Sequence, residues 1–146
     1  MLPYLNYCVE VWGNTYQNSL QSLFILQKRA IRIIHNTGYL EHTNSLFLQS
    51  KVLKLIDLVE FQTAVFMFKA RNNLLPGIIQ KMFFEREGGY NLRGMSNFKT
   101  TRKSFCLSVS GVKLWNKLNY ELKQCTNISQ FKRMCKEIIF QRYKET

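Results

Sequence analysis

The chain has 146 residues, 46% of them apolar, with 11 Phe, 7 Tyr and a net charge of +12; that is enough for one domain with a real core and too aromatic for disorder. No apolar run approaches the roughly 18 residues needed to cross a membrane, and the start, MLPYLNYCVEVWG, has neither the basic region nor the small-residue cleavage site of a secretory leader, so a nuclear or cytoplasmic location is expected. With a single aspartate, Asp57, and scattered glutamates, the chain offers no carboxylate cluster of the kind that two-metal phosphoryl transfer requires.

Pro3 suits the first turn of a helix running to Trp12, and Gly13 suits its C-cap. Thr15, Asn18 and Ser19 offer caps for a second helix that carries LFILQKRAIRIIHN to about His35, with Gly38 ending it. On a helical wheel, Leu20, Leu23, Ala30, Ile31 and Ile34 fall on one side. Lys28, Arg32 and His35 share a narrow arc on the other, Arg29 sits beside them, and Phe24 and Ile25 lie among these cations. Gln27 stands alone as an amide on the apolar side, so its spacing predicts a hydrogen bond to the backbone of a neighbouring loop, since a buried amide without partners costs roughly 1–3 kcal/mol.

Thr43 suits the cap of a short helix, SLFLQS. The segment 56–72, IDLVEFQTAVFMFKARN, is apolar almost all round and reads as a central buried helix with Phe61, Val65, Phe66 and Phe68 in the core. Leu75-Pro76-Gly77 stops it, and IIQKMFF forms a short helix. Residues 85–104 hold three glycines and five basic side chains and read as a loop or loose hairpin. Phe105, Leu107 and Val109 alternate with Cys106, Ser108 and Ser110, a short strand pattern. Gly111 to Leu118 reads as a helical turn holding Trp115, and from Ile128 a last helix presents Phe131, Met134, Cys135, Ile138 and Ile139 on one face. The expected fold is mainly α: a small bundle of five to seven helices, with a short β-hairpin or strand pair near residues 90–110.

The acids are missing over long spans. None lies between Glu10 and Glu41 or between Glu87 and Glu121. A basic field of this kind attracts polyanions, nucleic acid foremost. The four cysteines, Cys8, Cys106, Cys125 and Cys135, form no C-x-x-C pair, and with only two histidines, His35 and His42, the spacing matches no zinc motif. No phosphate-binding glycine loop, nucleophile elbow or H-E-x-x-H helix occurs. The residues thus point to a binding protein with no cofactor, no metal and no small-molecule substrate. Trp12 and Trp115 read as core residues.

The ordered set PYLNYCVEVWGNTY, LFILQKRAIRII, YNLR, SVSGVKLWNKL and SQFKRMCK resembles the C-terminal part of reverse transcriptases from non-LTR retrotransposons of the jockey-like group. The likeness covers nearly the whole chain. It implies a single helical unit over 1–146, thumb-like over 1–84, followed by a basic loop or strand and C-terminal helices over 85–146. It also implies that the palm with its catalytic aspartates and the endonuclease are missing, as in a truncated product. At the position where the family often carries proline after Trp-Asn-x-Leu, this chain has Asn119.

Charge and resemblance together imply contacts to RNA or DNA from Lys28, Arg29 and Arg32, from the loop cations Arg93, Lys99, Arg102 and Lys103, and from Lys113, Lys132, Arg133 and Lys136. The expected function is a non-catalytic, sequence-independent nucleic-acid-binding module. The alternatives are an expressed transposon remnant without selected function, and a protein-interaction domain that packs on a polymerase palm supplied by a longer chain.

Overall fold

The computed structural model describes residues 2–83, 98 and 106–145. Among them are nine helices and no β-strand: α1 (Leu2–Asn6), α2 (Val9–Trp12), α3 (Gln17–Ile34), α4 (Asn44–Gln49), α5 (Leu55–Arg71), α6 (Gly77–Gln80), α7 (Leu107–Lys117), α8 (Tyr120–Lys123) and α9 (Ile128–Glu145). The count exceeds the expected five to seven. Part of the excess is the split of the first helix at Cys8, whose φ of 49° is left-handed. The rest is the single-turn helix α8; α6 corresponds to the short helix expected at IIQKMFF.

The expected strand pattern fails where it can be seen. Residues 90–97 and 99–105 lie outside the described residues, but Leu107 and Val109 belong to α7. The alternation there is a by-product of local hydrogen bonding. Ser110 Oγ donates to the Cys106 carbonyl at 3.1 Å, and the Val109 and Ser110 amides bond the same carbonyl at 2.8 and 2.9 Å. Val109, Val112 and Trp115 then recur at helical spacing and are buried. Gly111 sits in the middle of this helix rather than at its start. A Cβ built there would lie 2.8 Å from the Met67 sulfur, so glycine lets α7 cross close over α5.

Helix α5 is the centre of the fold and is buried nearly all round, as its sequence predicts. It packs against α2, α3, α7 and α9. Phe61, Val65 and Phe68 are buried as expected, whereas Phe66 is only partly covered and meets Phe83 edge to face at 5.8 Å. Phe68 stacks on Phe131 of α9 at 4.6 Å, and Trp115, fully buried, lies 6.1 Å from the same ring. Trp12 is partly buried against the core, with its indole N–H donating to the Tyr7 carbonyl at 2.7 Å.

Three helix ends are closed by non-glycine residues in the left-handed region: Asn36 after α3 (φ 50°), Lys51 after α4 (φ 52°) and Asn73 after α5 (φ 54°). Helix α3 therefore stops before Gly38. Neither Tyr16, the N-cap of α3, nor Thr43, the N-cap of α4, makes a side-chain capping bond. At α9 the Asn127 side chain accepts from the Ser129 amide at 2.8 Å.

The start of α5 has no cap of its own; Lys54 occupies that position without a side-chain bond. Two other helices supply the partners. Gln27 of α3, 4% exposed, donates to the Leu53 carbonyl at 2.9 Å and accepts from the Leu55 amide at 2.8 Å. Tyr143 of α9 accepts from the Lys54 amide at 3.0 Å and donates to Asp57 at 2.5 Å. The predicted bond from Gln27 to a neighbouring loop is thus present in both directions. One turn further along, Arg142 forms a two-pronged ion pair with Glu60 at 3.1 and 3.2 Å.

Replacing Gln27 with Leu would keep the volume and orphan the Leu53 carbonyl and the Leu55 amide. Stability should fall by about 1–3 kcal/mol for each group left unsatisfied, measured by urea unfolding. An unchanged midpoint would show that these bonds contribute nothing.

Alkaline stability should follow the same region. Burial pushes the Tyr143 phenol above its usual range, and its bond to Asp57 adds to the effect. Burial likewise pushes the Cys135 thiol up to about 12, with Cys125 and Glu60 contributing and Arg142 opposing. Both groups are held neutral by folding, so their contributions are complete below the unfolded values, about 8.5 for a thiol and about 10 for a phenol, and are lost as pH rises through the folded ones. Lys54 and Lys123, lowered mainly by burial, act in the opposite sense just below their ordinary range. The double variant Tyr143→Phe, Cys135→Ala should lose less stability than the parent between about pH 9 and 11, read as denaturation midpoint against pH. Parallel curves would remove these two groups as the cause.

Candidate nucleic-acid interface

Helices α3 and α7 both lie inside the acid-free spans and carry no carboxylate. The buried line of α3 is Gln27 and Ile31, flanked by partly buried Leu20, Leu23 and Phe24. This turns the wheel from its expected setting. Ile34 is 73% exposed at the edge of a small apolar groove shared with Leu5, Ala30 and Phe47. Ile25, Leu26 and Ile33 also face solvent.

The stripe cations are therefore not equivalent. Lys28 is half-buried, its ammonium 4.4 Å from the centre of the Phe24 ring. Lys28 also opposes the charge of nearby Lys54, which burial already lowers and which the attraction of Asp57 partly restores. Arg32 is half-buried, and its Nε and Nη2 both donate to the Glu41 carbonyl, at 3.0 and 2.8 Å. His35 faces Ser50 Oγ at 2.5 Å and ties the end of α3 to the end of α4. Only Arg29 is openly exposed.

Arg29 and Arg32 line a hollow of about 340 Å³ with Ile33, Thr37 and Tyr39. The guanidinium carbon of Arg32 lies 5.9 Å from the Tyr39 ring centre, and Tyr39 is 69% exposed. Sequence reasoning passed over Tyr39. Its signal was an aromatic directly after a glycine, at a helix end bearing two arginines. An exposed ring beside guanidinium groups can stack a base while the cations meet phosphate.

The remaining candidates fall on other elements. Lys113 is exposed on α7, and Lys132, Arg133 and Lys136 are exposed on α9. Arg133 pairs with Glu137 at 3.9 Å, an exposed helical pair of small energetic weight. Lys136 lies 5.4 Å from the Phe61 ring centre. Arg93, Lys99, Arg102 and Lys103 lie outside the described residues. The structure thus brings Arg29 and Arg32 together with Tyr39, and groups Lys132, Arg133 and Lys136 on one helix, as separate basic regions.

Among the described residues no group of His, Cys, Asp and Glu is placed to hold a metal ion, and no helix is long and apolar enough to cross a membrane. Among the described residues the four cysteines form no disulfide with one another. Comparison with family models, with curated proteins and with solved structures finds no match to this chain.

Arg32 and Arg29 should separate cleanly by mutation. Arg32→Gln removes two bonds that hold the turn to Glu41 and should cost about 0.5–1.5 kcal/mol. Arg29→Gln should stay within about 0.5 kcal/mol. Thermal unfolding checks both, and equal effects would mean that the Glu41 contact does not stabilise the fold.

Proposed function

We propose that the chain is a non-catalytic, sequence-independent nucleic-acid-binding module, corresponding to the thumb-like C-terminal part of a retrotransposon reverse transcriptase. The observation that carries this reading is the acid-free face of α3. It offers exposed Arg29, the edge of Arg32 and an exposed Tyr39 around one hollow, with no carboxylate lining it. The net charge of +12 and exposed Lys132, Arg133 and Lys136 of α9 supply the wider field that draws in a polyanion. The resemblance of LFILQKRAIRII and LWNKL to that family supports the same assignment. The chain's one aspartate serves as an acceptor for Tyr143, which suits a structural rather than a metal-binding role.

A second reading has its own observation. Ile25, Leu26, Ile33, Ile34 and Leu40 are exposed on or just after the same helix. Apolar exposure of this kind fits a surface covered by a polymerase palm supplied by a longer chain.

One titration decides between them. Fluorescence anisotropy with a poly-dT oligonucleotide and with a random duplex, repeated at several salt concentrations, should give dissociation constants of roughly 10⁻⁴–10⁻⁶ M and affinity falling with salt. Changing Arg29, Lys132 and Arg133 together to Gln should flatten the log–log salt slope by about two to three. Changing Lys81 and Lys144 to Gln should leave it nearly as it was. Equal losses per charge removed would reduce the interaction to diffuse electrostatics. Absent binding with self-association in sedimentation would favour the apolar docking reading instead.

A further inference from the structure

Lys51 is an unusual residue to close a helix. Its amide bonds the Leu48 carbonyl and the next amide, of Val52, bonds the Phe47 carbonyl, both at 3.1 Å. This paired closure requires a left-handed residue, and glycine fills it without strain. After α3 and α5 the same closure is made by asparagines, Asn36 and Asn73, the side chain that tolerates it next best. At Lys51 a long cationic side chain is held there at φ 52°. A backbone outlier of this kind asks what the side chain does.

The Lys51 side chain lines a cleft of about 240 Å³ between α1, the segment after α4, α5 and α9. Across it stands Lys136 of α9, its ammonium 5.4 Å from the centre of Phe61. Asn6 and Gln62 add two amides, and Phe61 and Leu58 form apolar walls. No carboxylate lines the cleft. Among the described residues neither ammonium has an ion-pair partner. Two cations and two amides around one cleft, with no acid among its lining residues, suit a tetrahedral oxyanion.

We propose that this cleft is a phosphate-binding subsite, with Lys51 and Lys136 supplying the charge and Asn6 and Gln62 the hydrogen bonds. It lies apart from the Arg29 hollow. Its assignment to a nucleic-acid phosphodiester rests on the function proposed above; the oxyanion site itself does not. Because Lys51 lies outside the acid-free spans, charge patterning alone gave it no role.

The test uses the full chain, with amide NMR spectra recorded as inorganic phosphate replaces chloride at constant ionic strength. Saturable shifts at Asn6, Lys51, Gln62 and Lys136 are expected. Lys51→Gly should raise the thermal midpoint, because it relieves the left-handed strain, while weakening phosphate binding about tenfold or more. Lys136→Gln should weaken binding similarly without that gain in stability. A lysine that serves only the fold would not produce stabilisation and lost binding in one variant. Phosphate shifts that are absent, or spread evenly over all exposed lysines, would overturn the proposal. So would a Lys51→Gly protein that binds phosphate as the parent does. A poly-dT oligonucleotide is added last. If it competes for the cleft shifts, the phosphate is that of a nucleic acid. If it binds elsewhere and leaves them in place, the oxyanion site stands and its nucleic-acid assignment falls.

Discussion

The first turn of α5 is the constraint on which the arrangement rests. A helix start leaves amide groups without partners inside the helix, and here that start is drawn into the core without a capping side chain of its own. Gln27 and Tyr143 supply what is missing, one from α3 and one from α9. Apolar packing alone would let α3 and α9 slide along α5. These bonds fix their register, because a buried amide is costly to leave unmade. Asp57 in the same turn completes the set, where a negative charge is favoured by the helix dipole.

With α3 pinned through Gln27, its rotation is decided. Phe24, Lys28, Arg32 and His35 turn toward the flank of the core and take on local tasks, over a ring, against a carbonyl and against a hydroxyl. Arg29, Leu26 and Ile33 turn outward. The cation-rich stripe thus divides into a structural part and an exposed part. Its helix holds no acid, so even the structural cations find neutral partners rather than carboxylates. The charge that they carry stays uncompensated and adds to the field around Arg29.

Much of this was legible in the sequence. The all-round apolar segment 56–72 had one reading, a central helix, and Gln27 was conspicuous because an amide among Leu23, Ile31 and Ile34 must find a partner. Ile34 was misplaced because a wheel treats the last turn like the others, whereas the buried line of α3 ends at Ile31 and leaves Ile34 largely exposed at the rim of the groove. The strand expected at 105–109 rested on three alternating pairs. Period-two and period-3.6 patterns are hard to separate over so few residues, and the contact that decided it, Gly111 against Met67, joins segments far apart in sequence. The grouping of Arg29 and Arg32 with Tyr39 depends on how the chain turns after Asn36, a local conformation that residue types suggest but do not specify.

The cap on α5 has a temporal side. The residues that complete it come from 28 positions before Leu55 and from 86 positions after Asp57. During synthesis, α3 and α5 leave the ribosome well before Tyr143 does. Through that interval the Lys54 amide and the Asp57 carboxylate have only water for company, and the first turn of α5 is open to fraying. The strongly apolar body of α5 meanwhile lacks α7 and α9, two of the helices that cover it. The nascent chain therefore carries its stickiest helix uncapped until α9 emerges, and cooperative closure waits for that helix, which acts as the latch.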